Sequence, residues 1–221
     1  DGTTFTKESG KHTGDWGKNF YAAQTYSDIP ASDGRRILIG WMNGGKYPSM
    51  PFNQQMTFPA ELTLHSAPDG IHLHKQPVRE ITRLYLRTHE WKDVTVKPGV
   101  NPLTKISGDL FDVEAEIEPG EAKNLHFTVR GATITYFVAD GKLSCLGKSA
   151  DLAPVNQRIK IRFLVDRASL ELFANDGRVV FSSCFIPRPE EPTLAFFSVG
   201  GPAKLASLRV HELKSTWAKF D

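Results

Sequence analysis

Hydrophobic and polar positions alternate along most of the chain in short runs rich in Ile, Val, Phe, Tyr and Thr. Turn dipeptides at Asp33-Gly34, Asp69-Gly70, Asp140-Gly141 and Asp176-Gly177 break these runs. A period of two sends successive side chains to opposite faces of a strand, and Asp-Gly readily supplies the positive φ of a tight hairpin. The pattern therefore predicts hairpins and antiparallel sheet.

Four strands are expected over 21–26, 36–42, 57–64 and 71–74, which is the strand length and number of one propeller blade. Val78, Ile81, Leu84 and Tyr85 then recur at helical spacing behind Pro77, a residue suited to a first helical turn, so a short helical connector is expected over 76–86. After Val94 the alternation resumes over 110–117, 125–129, 133–138, 159–165, 169–174, 179–185, 194–198 and 206–213, a density of short strands that predicts a β-sandwich. The reading is all-β, with a blade over 1–75, a linker with a short helix over 76–93 and a sandwich over 94–221.

A length of 221 residues with 40% hydrophobic content suffices for one large or two small domains with a real core. The 27 basic and 25 acidic residues leave a net charge of +2 and form no block of one sign, which argues against nucleic acid as a partner. No apolar run approaches the roughly 20 residues of a membrane-spanning helix, and Asp1-Gly2-Thr3-Thr4 has neither the basic start nor the apolar stretch of a signal peptide. Cys145 and Cys184 are too few for a disulfide framework and lack zinc-site spacing, so both are expected as small buried hydrophobes.

Several charged patterns could be taken for chemistry. Asp112, Glu114, Glu116 and Glu118 occupy alternate positions around Val113, Ala115 and Ile117, so one strand face carries four carboxylates. A glycosidase pair could be drawn from them, but a solvated outer face is the simpler expectation. His72 and His74 share a strand face without a third ligand type nearby, and no metal site is expected. The glycine pairs do not form a phosphate loop ahead of a helix, and there is no Gly-x-Ser-x-Gly elbow, so neither a nucleotide cofactor nor serine hydrolysis has support.

Longer motifs carry a resemblance. Residues 15–24 read DWGKNFYAAQ, 35–43 read RRILIGWMN, and 56–64 read MTFPAELTL. Residues 165–177 read VDRASLELFANDG, then RVVFSS, and 196–217 read FFSVGGPAKLASLRVHELKSTW. In this order they resemble glycoside hydrolase family 32, the invertases, levanases and inulinases. The resemblance implies the last blade of a five-bladed β-propeller followed by the C-terminal β-sandwich, and an activity that cleaves β-fructofuranosyl bonds with retention. It also favours an extracellular or periplasmic setting. Such cleavage needs two carboxyl groups roughly 5 Å apart, one as nucleophile and one as acid/base.

The family carries those groups in earlier blades, in motifs that this sequence lacks, so no catalytic residue is expected here. Trp41-Met42-Asn43 is similar to the start of the nucleophile motif, but Gly44 stands where the Asp would be. The resemblance places Tyr21 and Trp41 where aromatic rings line the fructose funnel; a ring face suits sugar C–H groups and a phenol suits a sugar oxygen. Asp15, Lys18 and Asn19 fall at the pocket entrance, with Asn19 where many relatives carry Asp and Ala60 where the family usually has Arg before Glu61.

Three classes of function follow: part of a fructan or sucrose hydrolase, a fructan-binding module with an aromatic platform at Trp91 or Trp217, or a structural sandwich that buttresses a propeller. Asp1-Gly2-Thr3-Thr4-Phe5-Thr6 resembles the end of a preceding blade, so the chain is expected to begin within a domain. A solitary blade leaves Ile37, Leu38, Ile39, Met56, Phe58, Leu62 and Leu64 in need of cover, by missing N-terminal blades or by self-association.

Overall fold

The structure, a computed structural model, describes residues 3–4, 12–47 and 51–217. Its first sheet holds β1 (Tyr21–Thr25), β2 (Arg36–Met42), β3 (Gln55–Met56), β4 (Ala60–Ala67) and β5 (Gly70–Pro77). The strand order is β1-β2-β4-β5, antiparallel throughout, with β3 paired to β2. The strand expected over 57–64 begins later, at Ala60, because Pro59 has no N–H to give a ladder. It also runs further, because the Asp69-Gly70 turn lets β4 and β5 pair as far as Ala67 and Gly70, where Gly70 takes a φ of +124°.

The connector is a 3-10 helix, Arg79–Leu84, shorter than the helical spacing suggests. Its one buried residue is Ile81. The chain then enters β6 (Tyr85–Val96), within a stretch that the sequence pattern assigns to the linker. β6 is an edge strand paired along β16 and exposes most of its positions, so it carries no alternation to be read.

The rest of the chain forms β7 (Phe111–Glu118), β8 (Asn124–Val129), β9 (Ala132–Phe137), β10 (Lys142–Cys145), β11 (Lys148–Asp151), β12 (Ile159–Asp166), β13 (Ser169–Ala174), β14 (Val179–Cys184), β15 (Ala195–Val199) and β16 (Ala203–Leu213). Two sheets result, ordered β11-β10-β9-β8-β15 and β14-β13-β12-β7-β16-β6. Their facing sides bury one continuous core that includes Phe111, Phe127, Phe163, Phe181 and Phe196.

The outer face of the six-stranded sheet is not wholly solvated. Leu164, Phe173 and Val180 on that face join Ile81 and Leu213 in a second apolar cluster, with Phe58 of the blade packed against it. β13 is buried at every position for this reason: Leu170, Leu172 and Ala174 face the sandwich core, while Ser169, Glu171 and Phe173 face the blade and connector. Sheet-to-sheet packing thus continues from sandwich to blade through β13 and β14.

Candidate functional site

Tyr21 and Trp41 are direct partners across β1 and β2, with ring centroids 6.2 Å apart and planes inclined at 60°. Alternation along β2 explains their outward aim. Met42 is fully buried on the sandwich side, where the Gln55 Nε2 amide reaches both its sulfur and Ser169 Oγ, so Trp41, one position earlier, turns to the opposite face. Tyr21 is 61% exposed and Trp41 37%. Met56 lies opposite Trp41 on β3 at 49% exposure and extends the strip to a third strand. The sequence pattern leaves Met56 outside any strand, because a two-residue strand, Gln55–Met56, is too short to show a period.

Asp15 and Asn19 lie elsewhere, in the seam between blade and sandwich. The Asp15 carboxylate accepts the Gly17 N–H at 2.8 Å, the Ser182 N–H at 2.9 Å, the Ser182 hydroxyl at 2.8 Å and the Lys75 ammonium at 2.7 Å. With 1% of its side chain exposed, it has no oxygen to offer a ligand without breaking this set. Asn19 accepts the Cys184 N–H on Oδ1 at 2.9 Å and donates from Nδ2 to the Asn43 carbonyl at 2.6 Å. Its two ends tie β14 to the end of β2. Both residues fix the loop that leads into β1 and so position Tyr21. Lys18 is exposed, and its backbone N–H donates to Ser183 Oγ.

The Trp41-Met42-Asn43-Gly44 segment closes β2 with a turn. Gly44 has a φ of +75°, a left-handed conformation that an Asp would adopt only under strain.

The carboxylate ladder on β7 departs from the solvated face expected of it. Asp112 is fully buried and gripped by Arg162 through Nε at 3.0 Å and Nη2 at 2.7 Å, with the Tyr85 hydroxyl donating at 2.7 Å. Glu114 pairs with Arg209 at 2.7 Å and Glu118 with Arg158 at 2.6 Å. Arg162 on β12 and Arg209 on β16 are the register partners of Glu114, and Arg158, just before β12, serves Glu116 and Glu118, so cations neutralise the row. These carboxylates hold the outer face of the sheet together.

His72 and His74 do share a face, together with His65, which stacks on His74 at 4.0 Å. Each ring has its own partner: His72 bonds Asp69 and His74 bonds the Asp176 carbonyl, while burial pushes the His74 pKa down. Among the described residues no group of His, Cys, Asp and Glu is arranged to hold a metal ion. Trp91 is partly buried against the sandwich core, and Trp217 packs on Phe52 and beneath Arg167. Cys145 is fully buried as expected, whereas Cys184 is half-buried with Tyr47 Oη 2.8 Å from its sulfur.

Comparison with known proteins adds the following. Residues 1–77 match the family described as "Glycosyl hydrolases family 32 N-terminal domain" and residues 80–212 match "Glycosyl hydrolases family 32 C terminal". A levanase of Bacillus subtilis (strain 168) is 33% identical over 98% of this chain, and a levanase of Bacillus sp. (strain L7) is 35% identical over 92% of it. The chain spans 37% and 25% of the lengths of those two proteins. The crystal structure of exo-inulinase from Aspergillus awamori superposes with a TM-score of 0.84 at 22% identity, covering 98% of this chain and 49% of that one.

Proposed function

The chain belongs to glycoside hydrolase family 32, and on that premise we propose that it is the C-terminal portion of a retaining hydrolase of β-fructofuranosyl bonds in fructan or sucrose. The observation that carries this reading is the exposed Tyr21–Trp41 pair, a platform of two adjacent rings on the blade. Apolar ring faces lie against sugar C–H groups, the Tyr21 hydroxyl meets a sugar oxygen, and Lys18 stands at the entrance. Asp15 and Asn19 serve the same site indirectly, by clamping the loop that delivers Tyr21 to it.

Nucleophile and acid/base come from blades beyond these 221 residues. The partner of the blade is then either those blades or a second copy of the chain, because Leu64, Ile71 and Leu73 stand 72%, 54% and 51% exposed on it. The direct test is fructose release. The purified chain is expected to release none from sucrose, inulin or levan, whereas a protein that also carries the upstream blades releases it. Turnover by the chain alone, persisting after contaminating enzymes are removed, would overturn the assignment.

A further inference from the structure

Among the described residues, the seam between blade and sandwich contains two buried carboxyl groups and one buried ammonium. Asp15 takes the ammonium of Lys75 and, in addition, the N–H groups of Gly17 and Ser182 and the Ser182 hydroxyl. Glu171 on β13 is the register partner of Ser182, so it sits beside those donors and receives none of them. Among the described residues its hydrogen-bond donor is the Phe58 N–H of the blade, at 2.9 Å. It is 2% exposed. An ionised carboxylate in this position would lack both water and a cation of its own, a costly arrangement.

We propose that Glu171 is a proton-controlled latch of the blade–sandwich seam: the protonated acid lets the two sheets close on each other, and its ionisation drives them apart. The uneven sharing of donors is the geometric basis, since Asp15 has satisfied its charge and left Glu171 to be neutral.

Burial pushes the Glu171 carboxyl up to about 8, with the Phe58 N–H and Lys75 only partly offsetting it. The sign follows from linkage. When the seam opens, water restores the carboxyl toward its ordinary value of 4.5, so the open form binds fewer protons than the closed one. Opening therefore becomes about tenfold easier for each pH unit between about 4.5 and about 8, and levels off above that.

Other groups face Glu171 from each element packed on it. Lys75 on β5 and Asp15 on the loop before β1 are held in their own pair. Asp166 ends β12 and accepts the Arg167 N–H. Cys184 on β14 has its thiol pushed up by burial, and Tyr47, beside it, has its phenol pushed well above the usual range, so both stay neutral across the window. His74 on β5 has its pKa pushed down by burial, and its contribution must be separated experimentally.

Amide hydrogen exchange on the full chain between pH 5 and 9, corrected for intrinsic rates, makes that separation. The seam amides of Phe58, Lys75 and Asn19 should show an opening constant that rises about tenfold per pH unit up to about 8 and then flattens. Amides of β12 paired to β7 should not follow it. Glu171→Gln keeps the acceptor for Phe58 and removes the charge, and should make the seam independent of pH. A wild-type seam whose opening constant is flat from pH 5 to 8 overturns the proposal even if the variant fails to fold. A Glu171→Gln seam that keeps the wild-type slope overturns it too and assigns the slope to another group.

Discussion

A Cβ added to Gly17 would stand 2.0 Å from the Ser182 carbonyl oxygen. The loop ahead of β1 therefore lies flush on the backbone of β14, and the Asn19 N–H to Ser182 carbonyl bond at 3.0 Å fixes that approach. Gly17→Ala should force the two backbones apart at a cost of about 1–3 kcal/mol, in the range of other overpacking substitutions. Urea unfolding of the chain checks this, with Gly14→Ala as the control, since nothing lies within 4 Å of a Cβ there. Equal stability in the two variants would mean that the loop does not rest on β14 in solution.

The Lys75–Asp15 pair should be strongly one-sided in its response to mutation. Its side chains are 7% and 1% exposed. Lys75→Met leaves a buried carboxylate with neutral donors only, and a loss of about 3–5 kcal/mol is expected. Replacing both residues by apolar side chains removes the stranded charge as well, so the double variant should lose less than the sum of the two single losses. Additive losses in a double-mutant cycle would show that the pair is not coupled.

Much of this was legible in the sequence and some was not. β2 and β13 were readable to their ends because their β-forming residues are bounded by turn residues, Asp33-Gly34 and Asn43-Gly44 for β2, Asp166 and Asn175-Asp176-Gly177 for β13. β6 was not, because an edge strand with few buried positions has no period to detect. The family motifs singled out Tyr21 and Trp41 separately, and the register of β1 on β2 makes them partners. The fate of Asp15 and Asn19 was not, because their partners Ser182 and Cys184 lie some 165 positions away in sequence and only the docking of blade on sandwich brings them close. Glu171 was hidden likewise, because its donor Phe58 lies 113 positions away and its place in VDRASLELFANDG looks like any strand position until the blade covers it.

Arg35 couples the blade to the connector through two carboxylates. Its Nε and Nη2 reach Asp33 at 2.6 and 2.7 Å, and Nη1 and Nη2 reach Glu80 at 3.0 and 2.9 Å. The Arg35 side-chain hydrogen bonds hold both acids down to about 2. Because the folded values lie below the ordinary values of 3.8 and 4.5, this contribution is present above about 4.5 and is lost as the pH falls toward 2. Carboxyl titration by NMR should show Asp33 and Glu80 protonating well below the ordinary values of 3.8 and 4.5. Arg35→Gln should return both to ordinary values; unshifted titrations in the wild type would remove the bridge.

Tyr21 and Trp41 should separate function from stability. Both are exposed and neither contributes to an apolar cluster, so truncation to Ala should alter the stability of the chain by no more than about 0.5 kcal/mol. In a protein that carries the upstream blades, the same truncations should weaken fructoside turnover by about 1–3 kcal/mol of sugar contact. Unchanged kinetics with reduced stability would reassign the rings to packing.

The blade's outer hairpin bears on whether the chain stays alone. Leu64 and Leu73 are register partners on β4 and β5, and Ile71 continues the same face toward the turn. Further along that face Leu62 and Lys75 are covered by the loop that carries Trp16 and Phe20, and the Lys75 ammonium lies 4.1 Å from the Phe20 ring centroid. The seam thus orders the inner half of the hairpin and leaves its outer half bare. Each large side chain left in water forgoes roughly 1.5–3 kcal/mol of burial, so at high concentration a second copy should cover the patch. Sedimentation velocity is expected to show concentration-dependent association that Leu64→Lys with Leu73→Lys abolishes, with the circular dichroism of the sandwich unchanged. At pH 5, hydrogen exchange should protect the amides of Lys75 and Asn19 together with the sandwich while those of residues 64–73 exchange early in the dilute chain. A chain that remains monomeric at every concentration, with 64–73 as protected as β12, would show that the blade needs no partner.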